Sequence, residues 1–246
     1  VKRYGSVTVL DDVSLSVDNV GACTTGGVPP GLAAAYVVTL PASSAVGTAV
    51  AATVTALDAL GQVATGYTGS ANLASSDPLA TFSSPVSFTA GVASPSITFF
   101  TMGTRTLTAT DTVTPSIAGT GSTTVTPGAP AALAFSVQPS SAVAGVGIAP
   151  SVQVALVDAY GNPSPGAASV TLSLGTNPGG GTLSGTLTVA AVAGVATFPG
   201  LSIDKVGTGY TLAATATGLT GATSAAFNIP PAAPAALAFG QQPTNV

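Results

Sequence analysis

The stretch PGAPAALAFSVQPSSA at 127–142 recurs as PAAPAALAFGQQPTNV at 231–246, and internal repetition of this kind constrains the fold more than any other feature of the chain. Proline-rich punctuation at GGVPPG (26–31), TPGAP (126–130) and IPPAAP (229–234) cuts the sequence at intervals of about a hundred residues. The two segments so delimited align with each other. SSAVGTAVAATVTALDALGQ (43–62) matches SSAVAGVGIAPSVQVALVDAYGN (140–162), with a short insertion that brings Asp58 onto Asp158. GVASPSITFFTMGTRTLTAT (91–110) matches GVATFPGLSIDKVGTGYTLAAT (194–215). The chain is therefore expected to form two modules on one plan, at 29–127 and 128–230. Flanking them are expected, at 1–28, a terminal β segment or the end of a preceding β domain and, at 231–246, the first strand of a next repeat or a donor strand.

Within each module the hydrophobic period is two. Val50, Ala52, Val54 and Ala56 alternate with small or polar residues, as do Val152, Val154 and Leu156, and then Leu107 and Ala109. Short alternating runs rich in Val and Thr, broken by Gly, Pro and Asn, are strands. No run of ten residues carries a helical period, and the abundance of Gly and β-branched residues disfavours helix. About seven strands fit into a hundred residues, the size of an immunoglobulin-like sandwich, which is large enough to bury a core without disulfides. Pro41, Pro139 and Pro243 occupy the same place a few residues into the first strand of each copy, where the missing N–H suits an edge or a bulge. Tyr36, Val38 and Leu40 run one residue out of step with Phe135 and Val137 relative to that proline, which predicts a bulge that differs between the modules.

Charge excludes several function classes. Only 5% of residues are charged, all eight acidic ones are Asp, and there is no His, Glu or Trp. A net charge of −4 with four scattered basic residues offers nothing to a phosphate backbone, so nucleic acid is excluded as a partner. No apolar run approaches the ~20 residues of a membrane span, and no signal core follows Lys2 and Arg3. The single Cys23 makes no disulfide within the chain. Abundant Ser and Thr with almost no Lys suit a secreted or cell-surface protein.

VTALDALGQVATGYTGSANLASSDPLATF (54–82) and SFTAGVASPSITFFTMGTRTLTATDT (87–112), with VALVDAYGNPSPG (154–166) and GTGYTLAATATG (207–218), resemble the bacterial immunoglobulin-like repeats of large surface proteins. These are the invasin/intimin-type and filamin-like modules of adhesins and cell-wall proteins. The resemblance covers 31–246 and implies tandem β-sandwiches acting as extracellular spacers or adhesive units. It carries over no site residues. The alternation of Val7, Val9, Val13, Leu15 and Val17 in YGSVTVLDDVSLSV (4–17) resembles the closing strands of carbohydrate-binding jelly-roll modules.

Candidate chemistry is sparse. Asp58 and Asp158 stand three residues before Gly61 and Gly161, the pattern of a type I turn. One carboxylate in each is far short of the six or more oxygens that calcium takes. Asp11 and Asp12, with Asp18 nearby, are neighbours in a strand and point to opposite faces. Asn177–Gly181 lacks the Lys-Ser/Thr and helix of a phosphate loop and is expected to be a hairpin loop. Lys2 and Lys205 lie in no nucleophile motif, and the Asp residues at 58, 77, 111, 158 and 204 fall at turns and strand ends. No catalytic residue, metal ligand or cofactor is therefore expected. Tyr67 and the pair Phe99-Phe100 remain as aromatics for sugar stacking, core or interface.

The expected role is a non-enzymatic extracellular structural or adhesive repeat protein, either a stalk or an adhesin spacer. Its partners are neighbouring copies or adjacent domains. One alternative is a filament subunit assembled by strand exchange through Leu237 and Phe239 at one end and Val7, Val9, Val13 and Leu15 at the other. The other is a module that binds surface glycans.

Overall fold

The computed structural model describes residues 32–234. The segments 1–31 and 235–246 lie outside the described residues, and with them Val7, Val9, Val13, Leu15, Cys23, Leu237 and Phe239. The described chain falls into two compact units. The first holds residues up to Ser44, Thr48–Phe99 and Gly103–Thr124. The second holds Ala45–Gly47, Phe100–Met102 and the chain from Val125 onward.

Among the described residues every regular element is a strand. In chain order the first eleven begin with β1 (Ala35–Thr39), β2 (Ser43–Ala45), β3 (Ala49–Ala51), β4 (Thr53–Leu57) and β5 (Ser70–Ser75). They continue with β6 (Thr81–Phe82), β7 (Val86–Ser87), β8 (Val92–Ala93), β9 (Ser96–Thr98), β10 (Gly103–Asp111) and β11 (Ala118–Thr126). They form sheets β1-β4-β8, β2-β11-β10-β5-β7 and β3-β9-β6. The next eleven begin with β12 (Ala132–Val137), β13 (Val152–Val157), β14 (Ser169–Leu174), β15 (Leu183–Ser184), β16 (Thr188–Ala190) and β17 (Val195–Phe198). After them come β18 (Ser202–Ile203), β19 (Gly207–Tyr210), β20 (Leu212–Thr215), β21 (Ala222–Thr223) and β22 (Phe227–Ile229). Their sheets are β12-β13-β17, β16-β14-β20-β21, β15-β18 and β19-β22. Short breaks raise the number of segments above the seven of a simple sandwich: β3 and β4 are one run interrupted at Ala52, and β8 and β9 one run interrupted at Ser94-Pro95.

The alternation in the sequence becomes the core. Tyr36 and Val38 of β1 are buried, as are Val54 and Ala56 of β4 and Leu107 and Ala109 of β10. In the second unit Leu133, Val152, Val154, Leu156, Leu172 and Phe198 belong to one continuous apolar cluster drawn from both larger sheets. Each such side chain, fully buried, contributes roughly 1.5–3 kcal/mol. The fold is a tandem of immunoglobulin-like β-sandwiches.

The bulge expected to differ between the first strands falls in the second module. β1 pairs with β4 without interruption, whereas β12 slips against β13 between Phe135 and Val137. A second local device brings backbones close: a Cβ at Gly119 or Gly121 of β11 would strike the carbonyl of Tyr36 or Val38 on β1. Glycine at both positions lets the two strands approach at main-chain distance.

Candidate functional site

The densest polar constellation of the first unit lies at one end of its sheets. Tyr36 comes from β1, Tyr67 from the loop between β4 and β5, Phe88 follows β7, and Asp111 closes β10. The Tyr36 and Phe88 rings stack at 5.0 Å, and Tyr67 meets Phe88 edge-on at 5.0 Å. The Tyr36 hydroxyl donates to Asp111 Oδ2 at 2.8 Å, and the Tyr67 hydroxyl donates to the same oxygen. The two phenol oxygens lie 2.6 Å apart. Asp111 Oδ1 accepts from the Val113 amide at 2.8 Å and the Thr114 amide at 2.7 Å. A carboxylate has about four lone-pair sites, so this one is saturated.

Burial alone would raise the Asp111 carboxyl, but the bonds from Tyr67, the Thr114 amide, Tyr36 and the Val113 amide outweigh it and hold it at about 2. Burial pushes both phenols up, and their bonds to the Asp111 carboxylate reinforce the effect. Near neutral pH the carboxylate is ionised and the phenols keep their protons, so the group neither gives nor takes a proton. It fastens β1, the 58–69 loop and β10 together. A cleft of about 300 Å³ opens beside it, lined by Tyr67, Ser70, Asp111, Val113 and Thr114, with Leu32 at its rim.

The second polar node is the Asp158 turn. Asp158 Oδ1 accepts from the Tyr160 and Asn162 amides, both at 2.9 Å, and Oδ2 accepts from the Gly128 amide at 2.9 Å. Burial would raise this carboxyl; the Gly128, Asn162 and Tyr160 bonds hold it below its ordinary value. Within the same unit, Asn162 Nδ2 donates to the Phe100 carbonyl and its Oδ1 accepts from the Met102 amide, each at 2.9 Å. The Tyr160 ring lies 5.0 Å from that of Phe100. The Asp58 turn repeats the core of this arrangement, with Oδ1 accepting from the Leu60 and Gln62 amides at 2.9 Å. The Gly61 amide donates to the Asp58 carbonyl and the Gly161 amide to the Asp158 carbonyl, which makes both stretches the β-turns their sequences imply.

Other residues singled out from sequence have structural places. Phe99 is fully buried, while Phe100 is half-buried against Tyr160. Tyr67 is held by its hydroxyl and by ring contacts with Phe88 and Tyr36, so it is no free stacking platform. Asn177 clamps both the amide and the carbonyl of Gly181, as a hairpin loop should. Among the described residues no group of three or more His, Cys, Asp or Glu is placed to hold a metal ion. No helix among them is long and apolar enough to cross a membrane.

The grouping of Tyr36, Tyr67 and Asp111 was not anticipated. Its signal is in the repeat: where the first module has these polar residues, the equivalent places in the second are Leu133, Gly166 and Ala216. Three polar residues absent together from one copy point to a shared partner.

No protein-family model matches the chain, and no curated protein matches it. Among solved structures it is similar to a beta-glycosidase from Bacteroides vulgatus, at 15% identity over 79% of this chain and 25% of that one, with a TM-score of 0.37. It is also similar to FdeC, an Escherichia coli adhesin, at 20% identity over 79% of this chain and 62% of that one (TM-score 0.36). A third is the Yersinia pseudotuberculosis adhesin InvE, at 16% identity over 83% and 61% (TM-score 0.35). The chain spans a quarter of the glycosidase and about three fifths of each adhesin chain.

Proposed function

We propose that this chain is a non-enzymatic structural and adhesive part of an extracellular protein, exposed at a cell surface or secreted, in which tandem sandwich modules serve as spacers. The observation that carries this reading is the use made of buried carboxylates. Asp58, Asp111 and Asp158 are all occupied by amides and phenols of their own unit, so the polar groups that chemistry would need are spent on holding loops and strands. The hydroxyl-rich, nearly Lys-free composition supports a place outside the cell. Pulling single molecules from their ends tests it. Two unfolding steps, each releasing about a hundred residues and hence about 35 nm of chain, are expected. Smooth extension without steps, or turnover of a panel of glycosides and esters, would remove the reading.

A second reading is assembly by strand exchange, and one observation favours it. The letters AALAF at 131–135 form most of β12, where Leu133 is buried in the core, and the same letters recur at 235–239. Leu237 and Phe239 then repeat the pattern of Leu133 and Phe135. Both described units already hold their own first strand, β1 and β12, and strand exchange would offer this repeated sequence a sheet edge of a neighbouring copy. Deleting 231–246 tests it: filaments seen by electron microscopy before deletion and lost after it support exchange, and a monomer before and after deletion removes the reading.

A further inference from the structure

The Gly128 peptide is gripped on both sides within the second unit. Its amide donates to Asp158 Oδ2 at 2.9 Å, and its carbonyl accepts from the Ser164 hydroxyl at 2.5 Å. Asp158 is 3% exposed and Ser164 2%, so both bonds are made away from bulk water, where breaking them leaves buried groups unpaired. The first module builds the same turn without the hydroxyl. The Ala64 amide donates to the Ala56 carbonyl as the Ser164 amide donates to the Leu156 carbonyl, each at 2.9 Å, and Ala64 has no side-chain oxygen. The Ser164 hydroxyl is therefore not needed to form the turn; it serves Gly128.

Both gripping residues are fixed to the end of β13. Asp158 follows Val157 directly, and Ser164 is bonded through its amide to Leu156, inside the strand. β13 is the middle strand of its sheet, with β12 paired on one side and β17 on the other. β12 lies at the edge of that sheet. Its ladder to β13 is supplemented by Thr220, which donates to the Ala131 carbonyl and accepts from the Leu133 amide. Gly128 precedes the start of β12 at Ala132, so tension drawn along the chain from the N-terminal side of this module reaches the Gly128 peptide first.

We propose that the Gly128 peptide is where tension along the chain enters the second module, passed by Asp158 and Ser164 into the middle strand β13 as well as into the edge strand β12. An edge strand pulled alone is resisted by its one ladder and by Thr220. With the grip in place, β13 takes part of the pull, and its ladders to both β12 and β17 must slip before the sheet gives way. The bond from the Gly128 amide to a carboxylate is of the stronger, charge-assisted kind, which suits a point that is pulled. This inference deepens the spacer reading and rests on it.

Single-molecule pulling in two geometries tests it on the full chain in a Cys23→Ser background. Handles at Thr126→Cys and Ala233→Cys make the pull cross Gly128, and handles at Ser136→Cys and Ala233→Cys make it enter β12 beyond Gly128. At a fixed force in the first geometry, Ser164→Ala is expected to make the second module unfold on the order of tenfold faster. In the second geometry the rate is expected to change little. Asp158→Asn removes the acceptor on the other side of the same peptide and should also act more strongly in the first geometry; it replaces Ser164→Ala if that chain does not fold. Equal acceleration in both geometries would mean that these side chains only pack the module, and no acceleration in the first would mean that Gly128 takes no tension. Either result overturns the proposal. Stepwise unfolding combined with either result refutes the grip alone and leaves the spacer reading standing.

Discussion

In the first module Tyr36, Tyr67 and Phe88 occupy three inward positions, and the nearby small residues are Ala33 and Ala56. The second module holds Leu133, Gly166 and Ala191 at the three places and Pro130 and Leu156 at the other two. The equivalences follow from pairing. Tyr36 faces Ala56 in the β1–β4 register as Leu133 faces Leu156 in β12–β13. The Tyr67 carbonyl accepts from Gly91 as the Gly166 carbonyl accepts from Gly194, and the Phe88 amide donates to Gly69 as Ala191 does to Ala168. A Cβ on Gly166 would sit 3.0 Å from both Leu156 and Pro130, so the bulk that two aromatic rings supply in one module comes from the opposite wall in the other. Interiors are packed like crystals, and volume-conserving exchanges are the ones they tolerate. With the rings came hydroxyls, and with the hydroxyls came an acceptor, Asp111, whose counterpart is Ala216. The fold requires the volume at this end; the polar fastener is a consequence of which residues supply it.

The comparison breaks most visibly at Asp111. Asp111→Ala leaves two phenols and two amides without their acceptor, and the first module is expected to lose about 3–5 kcal/mol. Calorimetry should show one of two unfolding transitions falling while the other stays. The carboxyl is held at about 2 against an ordinary 3.8, so its contribution is complete above 3.8 and is lost as pH falls from there through about 2. In the Asp111→Ala chain the same transition should be flatter over that window.

Next in size is the exchange of bulk. Gly166→Tyr overpacks the second module against Leu156 and Pro130 and is expected to cost about 1–3 kcal/mol. Adding Leu156→Ala should recover part of that loss, although Leu156→Ala alone is itself destabilising by about 2–5 kcal/mol. A double-mutant cycle in urea measures the coupling. Additive losses would show that the two modules do not share the volume rule inferred from their sequences.

Much of this architecture was legible in the sequence, because a period of two and a repeat of a hundred residues are properties of the backbone pattern. The one-residue offset of Tyr36 and Val38 against Phe135 was enough to expect a bulge, and it stands between Phe135 and Val137. The fastener was not read, because its members lie 31, 44 and 75 residues apart and each has an ordinary local explanation. Asp111 looked like a strand end, Tyr67 like a surface aromatic and Tyr36 like a core position. Only superposing one repeat on the other shows that all three polar groups vanish together. The extra bonds of Asp158 were illegible for a similar reason: Gly128, 30 residues away, donates an amide that no side-chain pattern announces.

The fastener itself can be sharpened by removing one hydroxyl. Tyr67→Phe keeps the ring against Phe88 and leaves Asp111 Oδ2 the Tyr36 hydroxyl, so a loss of about 1 kcal/mol is expected. A loss as large as that of Asp111→Ala would mean that Tyr67 alone carries the tie.

The two aspartate turns share their local geometry but not their surroundings, and the smallest effect of all is expected at Asp58. In Asp158→Asn one side-chain position must present an NH2 group, and both carboxylate oxygens there accept amides, so a donor faces a donor either way. The cost is expected to be about 1.5–3 kcal/mol, the range for bonds to a charged group. Asp58→Asn can keep its oxygen toward the Leu60 and Gln62 amides, as asparagine does in turns of this kind, and should cost only about 0.5 kcal/mol or less. Urea unfolding of the two single variants gives the difference directly. If Asp58→Asn proves as costly as Asp158→Asn, the second oxygen of Asp58 also has an amide to hold, and the turns differ less than their described neighbours imply.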